Sequence, residues 1–288
     1  MSDIAYVNGA YIPIDEARVS ILDRGFLFAD GVYEVAAVIG GRQIDNASHL
    51  SRLERSLREL RIESPVPMAR IADVEAELIS RNGLSEGLVY LQITRGAAAE
   101  REFGFPAEAA PTFFAFAQKK NIIASPAAET GVKVLTVPDL RWARRDIKST
   151  ALLAQVLAKQ AALEGGCQEA WMVDQDGLVT EGSSSTAFIL TRADVLVTRP
   201  NSSAVLPGCT RKAVQLIAER QGLTVEERGF SVTEAYEAKE AFLTSASNLV
   251  LPVISLDGRP IGSGAPGDTS RLLRRLYIEW ATNMARPD

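Results

Sequence analysis

Hydrophobic positions recur along the chain with two periods. At the N-terminus, IAYVNGAYIPI predicts two short strands around Asn8-Gly9, a dipeptide that favours a tight hairpin turn. VYEVAAVIGGRQI repeats the theme about Gly40-Gly41. The period then becomes helical: Leu50, Leu53, Leu57 and Leu60 fall on one face of SHLSRLERSLRELRI, with arginines and glutamates elsewhere. MARIADVEAELISR predicts a second helix that stops at Asn82-Gly83. LVYLQITRG and PTFFAFAQ read as apolar strands separated by a Gly/Ala/Glu-rich loop, and KKNIIASPAAETG reads as a linker.

The second half has the same mixture. GVKVLTVPD predicts a strand, and STALLAQVLAKQAALEGG a helix that starts at Ser149 and ends in glycines. EAWMVDQDGLVTEG predicts a hairpin about Asp176-Gly177. CTRKAVQLIAERQGL is a helix opened by Pro207-Gly208 and closed by Gly222. EAFLTSASNLVLPV reads as a strand with a polar interruption, and SRLLRRLYIEWATNMA as the last helix. Strands outnumber helices in each half, often as hairpins, so the class is α/β (α+β) with mixed or antiparallel sheets.

Composition narrows the picture. The chain has 288 residues, 47% hydrophobic and 23% charged, which suits a soluble enzyme of one large or two medium domains. Its net charge of −5 gives no hint of a nucleic-acid partner. No apolar stretch approaches the ~18 residues of a membrane span, and the N-terminus lacks the basic and apolar regions of a signal peptide. Cys167 and Cys209 show no framework spacing, so a reduced, cytoplasmic chain is the expectation. Neither G-x-G-x-x-G after a strand nor G-x-x-x-x-G-K-[ST] occurs, which argues against nucleotide-phosphate loops. With one histidine, His49, a His/Cys zinc site lacks ligands, so no metal is expected. A Ser-His-Asp triad would have to use a histidine that reads as a polar helix-start residue.

The candidate chemistry lies in two segments. Lys148 sits in RRDIKSTALLAQ, where an extended stretch meets a helix, and Glu181 ends an apolar strand in VTEGSSSTAF. A lysine amine can form a Schiff base with a cofactor aldehyde. A carboxylate can keep a pyridine nitrogen protonated, so that the ring withdraws electrons. Standing alone, each residue also reads as a solvated charge at an element end.

Taken in order, DRGFLFADGVYEV, HLSRLERSLREL, VYLQITRG, DIKSTALL, VTEGSSSTAF, LPGCTR and FLTSASNLVLPV resemble the fold-type-IV pyridoxal phosphate (PLP) enzymes. That group holds D-amino-acid, branched-chain and (R)-amine transaminases and aminodeoxychorismate lyase, and the resemblance is greatest to bacterial D-amino-acid transaminases. It implies two domains, 1–119 and 125–288, joined by a linker at 120–124, with pyridoxal 5′-phosphate in the cleft and a homodimer. Lys148 would be the Schiff-base lysine and the proton shuttle; a free amine near pKa ~10.4 would need a neighbouring cation or desolvation to act as a base. Glu181 would face the pyridine nitrogen. The tract after it, with Ser184, would supply hydroxyls and amides; Thr186 stands where the family commonly has Asn. Arg52 would bind the phosphate, together with Cys209 and Thr210 at a helix start. Ser245 and Ala246 would serve at the second phosphate contact. Cys209 and Ala246 replace an aliphatic residue and a Thr, so Cys209 reads as a small buried hydrophobe.

The implied substrates are a small-molecule amino donor and a 2-oxo acid acceptor, pyruvate or 2-oxoglutarate, in a ping-pong reaction. Tyr33 and Val35, on one strand face, resemble the substrate-pocket strand. The family's Arg-x-His carboxylate trap is altered: GAAAEREFGFP retains Arg101 but has Phe103 near the histidine's place, flanked by Glu100 and Glu102. The expectation is a D-amino-acid (D-alanine-like) transaminase whose demand for the carboxylate is relaxed enough to admit (R)-amines. An (R)-selective amine transaminase, a branched-chain L-amino-acid transaminase and aminodeoxychorismate lyase are the alternatives.

Overall fold

The computed structural model describes residues 3–284. The chain forms two compact units. One holds the residues up to Asn121, the short segment Ile147–Ala151 and the helix end from Thr282; the other holds Ile122–Asp146 and Leu152–Ala281.

The first unit contains β1 (Ile4–Val7), β2 (Ala10–Pro13), α1 (Arg24–Phe28), β3 (Gly31–Ile39), β4 (Arg42–Gln43), α2 (Asn46–Glu59), α3 (Met68–Arg81), β5 (Glu86–Thr94) and β6 (Thr112–Lys119). The strands form one sheet in the order β2-β1-β6-β5-β3-β4, with neighbours antiparallel. The first hairpin turns where Asn8 and Gly9 take φ of 46° and 101°, the left-handed region that these two residues tolerate. Leu53 and Leu57 of α2, and Ile71, Val74 and Leu78 of α3, are buried with Val32, Leu91, Ile93 and Phe113 of the sheet. Truncating one of these leucines to alanine costs about 2–5 kcal/mol. On the alternate positions of the strands, Tyr90 stacks on Tyr33 at 5.6 Å and on Phe116 at 5.0 Å.

The second unit contains α4 (Pro126–Thr130), β7 (Val132–Pro138), α5 (Leu153–Glu164), β8 (Glu169–Val173), β9 (Val179–Gly182), β10 (Thr186–Leu190), β11 (Val195–Thr198), α6 (Cys209–Arg220), β12 (Thr224–Glu227), α7 (Val232–Glu237), β13 (Glu240–Ser245), β14 (Leu249–Leu256), β15 (Arg259–Pro260) and α8 (Asp268–Met284). Its sheet is mixed, in the order β12-β11-β10-β13-β14-β7-β8-β9 with β15 on β14. Trp171 and Phe230 meet edge-on at 5.9 Å in its core. The Glu240 carboxylate accepts from the Thr269 and Ser270 amides, both at 2.9 Å, so it fills the start of α8. Farther along α8, Arg274 donates to the Asn248 and Val250 carbonyls at 2.7 and 2.8 Å. That fixes the turn after β13.

Three sequence expectations need correction. The helix expected from Ser149 begins at Leu153, because Ser149 bridges Val32 and the Thr150 amide donates to the Gly31 carbonyl at 3.0 Å. The segment EAFLTSASNLVLPV is two antiparallel strands, β13 and β14, since its polar middle is the turn between them. The segment KKNIIASPAAETG, expected to be a linker, contains α4, with Pro126 at the helix start, where its fixed φ suits the first turn.

Glu75 of α3 is buried, and Asn46 Nδ2 donates to it at 3.1 Å. Burial pushes its carboxyl up to about 7; hydrogen bonds from Asn46 and Gln43 and the nearby His49 oppose this, and the Glu34 charge adds to it. The unfolded carboxyl ionises near 4.5, so between these values the native state binds the extra proton. Stability therefore falls as pH rises through that window and levels off above it. We expect Glu75→Gln to flatten this slope, as thermal melts in steps from about pH 5 to about pH 8 will register; a slope unchanged by the substitution would clear Glu75 of the effect.

Candidate functional site

In the first unit the site is built on β3 and on the segment that pairs with it. Lys148 lies in extended chain rather than at a helix start. Its carbonyl accepts from the Tyr33 amide at 3.0 Å, and its own amide donates to Ser56 Oγ at 3.3 Å. Both contacts tie the lysine to β3 and α2, and its Nζ stands 4.2 Å from the centre of the Tyr33 ring. Tyr33 and Val35 are half-buried on one face of β3, opposite Gln92 and Tyr90 in register.

Glu34, between them, points to the other face and is buried. Arg52 grips it with Nε on Oε1 and Nη2 on Oε2, both at 2.7 Å, and His49 Nδ1 lies 2.8 Å from Oε2. Burial pushes the Glu34 carboxyl up, but the Arg52 guanidinium and the His49 contact more than reverse this and hold it well below the usual carboxylate range. Arg52 is thus buried and oriented rather than solvated like an ordinary helix arginine. Sequence reasoning misses Glu34 and its tie to His49. The available signal is an acid on the apolar face of a strand, matched by His49 and Arg52 three residues apart on one helix face.

The loop after β5 carries Arg101. Its guanidinium carbon is 4.9 Å from the Phe28 ring and 5.5 Å from the Phe103 ring. Phe103 is 74% exposed and packs on Phe28 at 5.2 Å. Glu102 turns its carboxylate back to the Phe103 amide at 2.7 Å.

In the second unit Glu181 is buried on β9. Arg141 Nη1 donates to Glu181 Oε1, and Arg141 Nη2 donates to Asp139 Oδ2 at 2.7 Å. Thr180 Oγ1 donates to Asp139 at 2.7 Å, and the Leu206 amide to Glu181 Oε2 at 3.2 Å. Burial raises the Glu181 carboxyl above its ordinary value, with Arg141 pulling against it; at Asp139 the hydrogen bond and charge of Arg141 win over burial and lower it. One guanidinium therefore serves two acids, and sequence reasoning singles out neither Arg141 nor Asp139.

The serine tract after Glu181 is shaped by another buried acid. Glu169 accepts from the hydroxyls of Ser183 and Ser185, and this leaves Ser184 exposed at the tip. Gly182 permits the tight turn, since a Cβ there would collide with Ser185 Oγ. Thr186 follows, buried on β10. Cys209 and Thr210 are buried in the first turn of α6, whose N-cap Gly208 makes no side-chain cap. The first-turn amides of such a helix have no partner within it and attract anions. Ser245 and Ala246 open the turn between β13 and β14, where Ser245 Oγ is 3.3 Å from Ser247 Oγ. Thr244 Oγ1, just before them, is buried without a hydrogen-bond partner.

The model for amino-transferase class IV matches residues 31–256. The D-alanine aminotransferase of Bacillus licheniformis is 37% identical over 265 residues, 92% of each chain. That of Staphylococcus haemolyticus is 35% identical, covering 95% of this chain and 97% of its own. Among solved structures, the T.th. branched-chain amino acid aminotransferase with pyridoxamine 5′-phosphate superposes with a TM-score of 0.89 at 26% identity, over 100% of this chain and 96% of that one. The Escherichia coli branched-chain enzyme reaches 0.91 at 21% identity over 100% and 97%, which shows the shared fold.

Arg141→Met would take the cation from buried Glu181 and leave Asp139 with only the more distant Arg145, at 3.4 Å. Removing one partner of a buried ion pair costs about 3–5 kcal/mol. The two acids can escape that penalty by taking up protons, so the loss should shrink as pH falls. Urea unfolding of wild type and variant near pH 5 and near pH 8 checks this; an equal deficit at both would show that the two acids carry no unpaired charge in the variant.

Proposed function

Because the chain belongs to the class IV aminotransferases, we propose that it moves an amino group from a D-amino acid such as D-alanine to a 2-oxo acid, in a ping-pong reaction using pyridoxal 5′-phosphate. The observation that carries the substrate choice is the likeness to D-alanine aminotransferases at 37% identity along 92% of the chain.

The residues suit the cofactor by their chemistry. Lys148 offers an amine held at a defined place over Tyr33. Glu181 offers a carboxylate for the ring nitrogen, oriented by Arg141 and the Leu206 amide. The uncapped start of α6, at Cys209 and Thr210, offers amides to a phosphate, and the turn at Ser245 and Ala246 offers a hydroxyl and further amides. Ser184 adds a hydroxyl beside Glu181. Arg52, pinned by Glu34, adds a fixed positive charge for the phosphate.

When bound, pyridoxal phosphate supplies an aldehyde that receives the amino group and a ring that withdraws electrons from the α-carbon. Lys148 Nζ would take the proton from the donor's α-carbon and deliver it to the cofactor C4′, and the reverse transfer would protonate the α-carbon of the acceptor. Arg101 and the Tyr33 hydroxyl bind the donor's carboxylate, and Val35 lines the space for a small side chain. A second reading, (R)-amine turnover, is favoured by one observation: Arg101 lies against two phenylalanine rings, surroundings that also suit an aromatic amine. A branched-chain L-amino-acid preference is less favoured, because the structures carrying that name are 21–26% identical to this chain.

We also infer a homodimer in the cytoplasm. Helix α5 exposes Leu153, Val156, Leu157 and Leu163 along one stripe, with Leu153 72% exposed, and a second copy would cover that stripe. Both cysteines are buried free thiols, which suits a reducing compartment.

Lys148→Ala should lower transamination by about 10²–10⁴-fold or more while leaving the circular dichroism spectrum intact. Borohydride should attach a pyridoxyl group to Lys148 of the wild type, as peptide mapping will locate. Mixed separately with the cofactor-loaded enzyme, D-alanine should bleach the visible cofactor band quickly and L-leucine much more slowly; the reverse order would refute the D-amino-acid assignment. Leu157→Glu should halve the mass seen by light scattering, and an unchanged mass would remove α5 from the interface.

A further inference from the structure

A half-buried aspartate in the first unit, Asp30, joins two arginines, and both reach the loop that carries Arg101. Asp30 Oδ2 accepts from Arg24 Nε and from Arg95 Nε, each at 2.8 Å, and Oδ1 accepts from Arg95 Nη2 at 3.0 Å. The remaining donors of both arginines go to backbone. Arg24 Nη1 and Nη2 donate to the Glu102 and Phe103 carbonyls at 2.5 and 3.1 Å. Arg95 donates to the Arg61 and Leu60 carbonyls at 2.9 and 2.7 Å, and its guanidinium carbon lies 3.7 Å from the centre of the Phe105 ring.

The Arg24 hydrogen bonds and the Arg95–Phe105 contact fall on residues that follow Arg101. Phe28 completes the arrangement, because Arg24 lies 4.8 Å from its ring and Arg101 4.9 Å. The loop's other anchor is Gly96, whose φ of 91° and close approach to the Ala110 carbonyl would exclude a side chain. Core packing alone would not call for this arrangement, since apolar residues commonly replace buried ion clusters without loss. A loop that presents a charge does call for it. An arginine on a free loop must be ordered on every binding event, whereas one on a clamped loop is ordered in advance.

We propose that Arg24, oriented by Asp30, is a positioning residue for donor selectivity: it fixes the backbone at 102–103 so that Arg101 meets the carboxylate of an amino-acid donor. The inference rests on the role given to Arg101 above. Removing the clamp lowers capture of a carboxylate and has much less effect on an amine that has none.

The test uses the cofactor-loaded enzyme with Arg24→Gln, which leaves the Asp30–Arg95 pair in place, and with Asp30→Asn. Arg24→Gln should raise KM for D-alanine, with the kcat/KM ratio of D-alanine over (R)-1-phenylethylamine falling about tenfold. On an Arg101→Ala background the same change should add little, because the residue it positions is gone. Hydrogen exchange of amides 101–105 should quicken in Arg24→Gln and Asp30→Asn, with the β5 amides unchanged. Equal losses for both donors, full additivity with Arg101→Ala, or unaltered exchange would each overturn the proposal. A wild type inert toward D-alanine would instead defeat the functional reading and the selectivity role with it, and the exchange measurement would still decide whether Arg24 holds the loop.

Discussion

Taking an ionised carboxylate out of water costs several kcal/mol unless cations or hydrogen-bond donors meet it. This constraint governs the surroundings of the candidate site. Glu34 is met by Arg52 and His49, Asp30 by Arg24 and Arg95, Asp139 and Glu181 by Arg141, and Glu169 by two serines. In each case the acid fixes groups whose position matters to the proposed chemistry. A guanidinium gripped at two nitrogens has lost most of its freedom, so Arg52 points where Glu34 sends it. The hydrophobic core makes the two units stable, and these pairings make the local geometry specific.

The pairings also separate the two carboxylates that share Arg141. Asp139 takes the better share of the guanidinium and a hydroxyl besides, and it is lowered; Glu181 takes one nitrogen and an amide, and burial still raises it. Arg141 and the Leu206 amide oppose that burial and favour the ionised form, the one that would keep a ring nitrogen protonated.

How much of this was legible in the sequence depended on whether the signal was local. The Asn8-Gly9 hairpin and the apolar stripes of α2 and α3 rest on turn chemistry and periodicity, and they lie where those local signals predict. Ser149 failed as a helix start because the competing interaction is distant: Ser149 and Thr150 pair with the beginning of β3, more than a hundred residues earlier in the chain. The polar stretch after Thr244 looked like an interruption within a strand because composition does not distinguish a bulge from a turn. Lys148 and Glu181 stood out through their motifs. Glu34, Asp30, Arg141 and Glu169 did not, because a charged residue in a sequence reads as solvated until its partner is seen.

The substrate question turns on the same kind of non-local order. Counting charges in the loop GAAAEREFGFP gives one arginine against two glutamates, which argues against binding a carboxylate. The structure adds positions to that count. Glu102 is spent on the next amide, and its carbonyl, with that of Phe103, is held by Arg24. Arg101 is left beside two aromatic faces that interact favourably with a cation. A single arginine held in place can do the work of a pair, because binding a carboxylate then costs less ordering entropy. On the reading in which Arg101 binds the donor's carboxylate, the clamp on the loop backbone offsets part of what the missing histidine would supply.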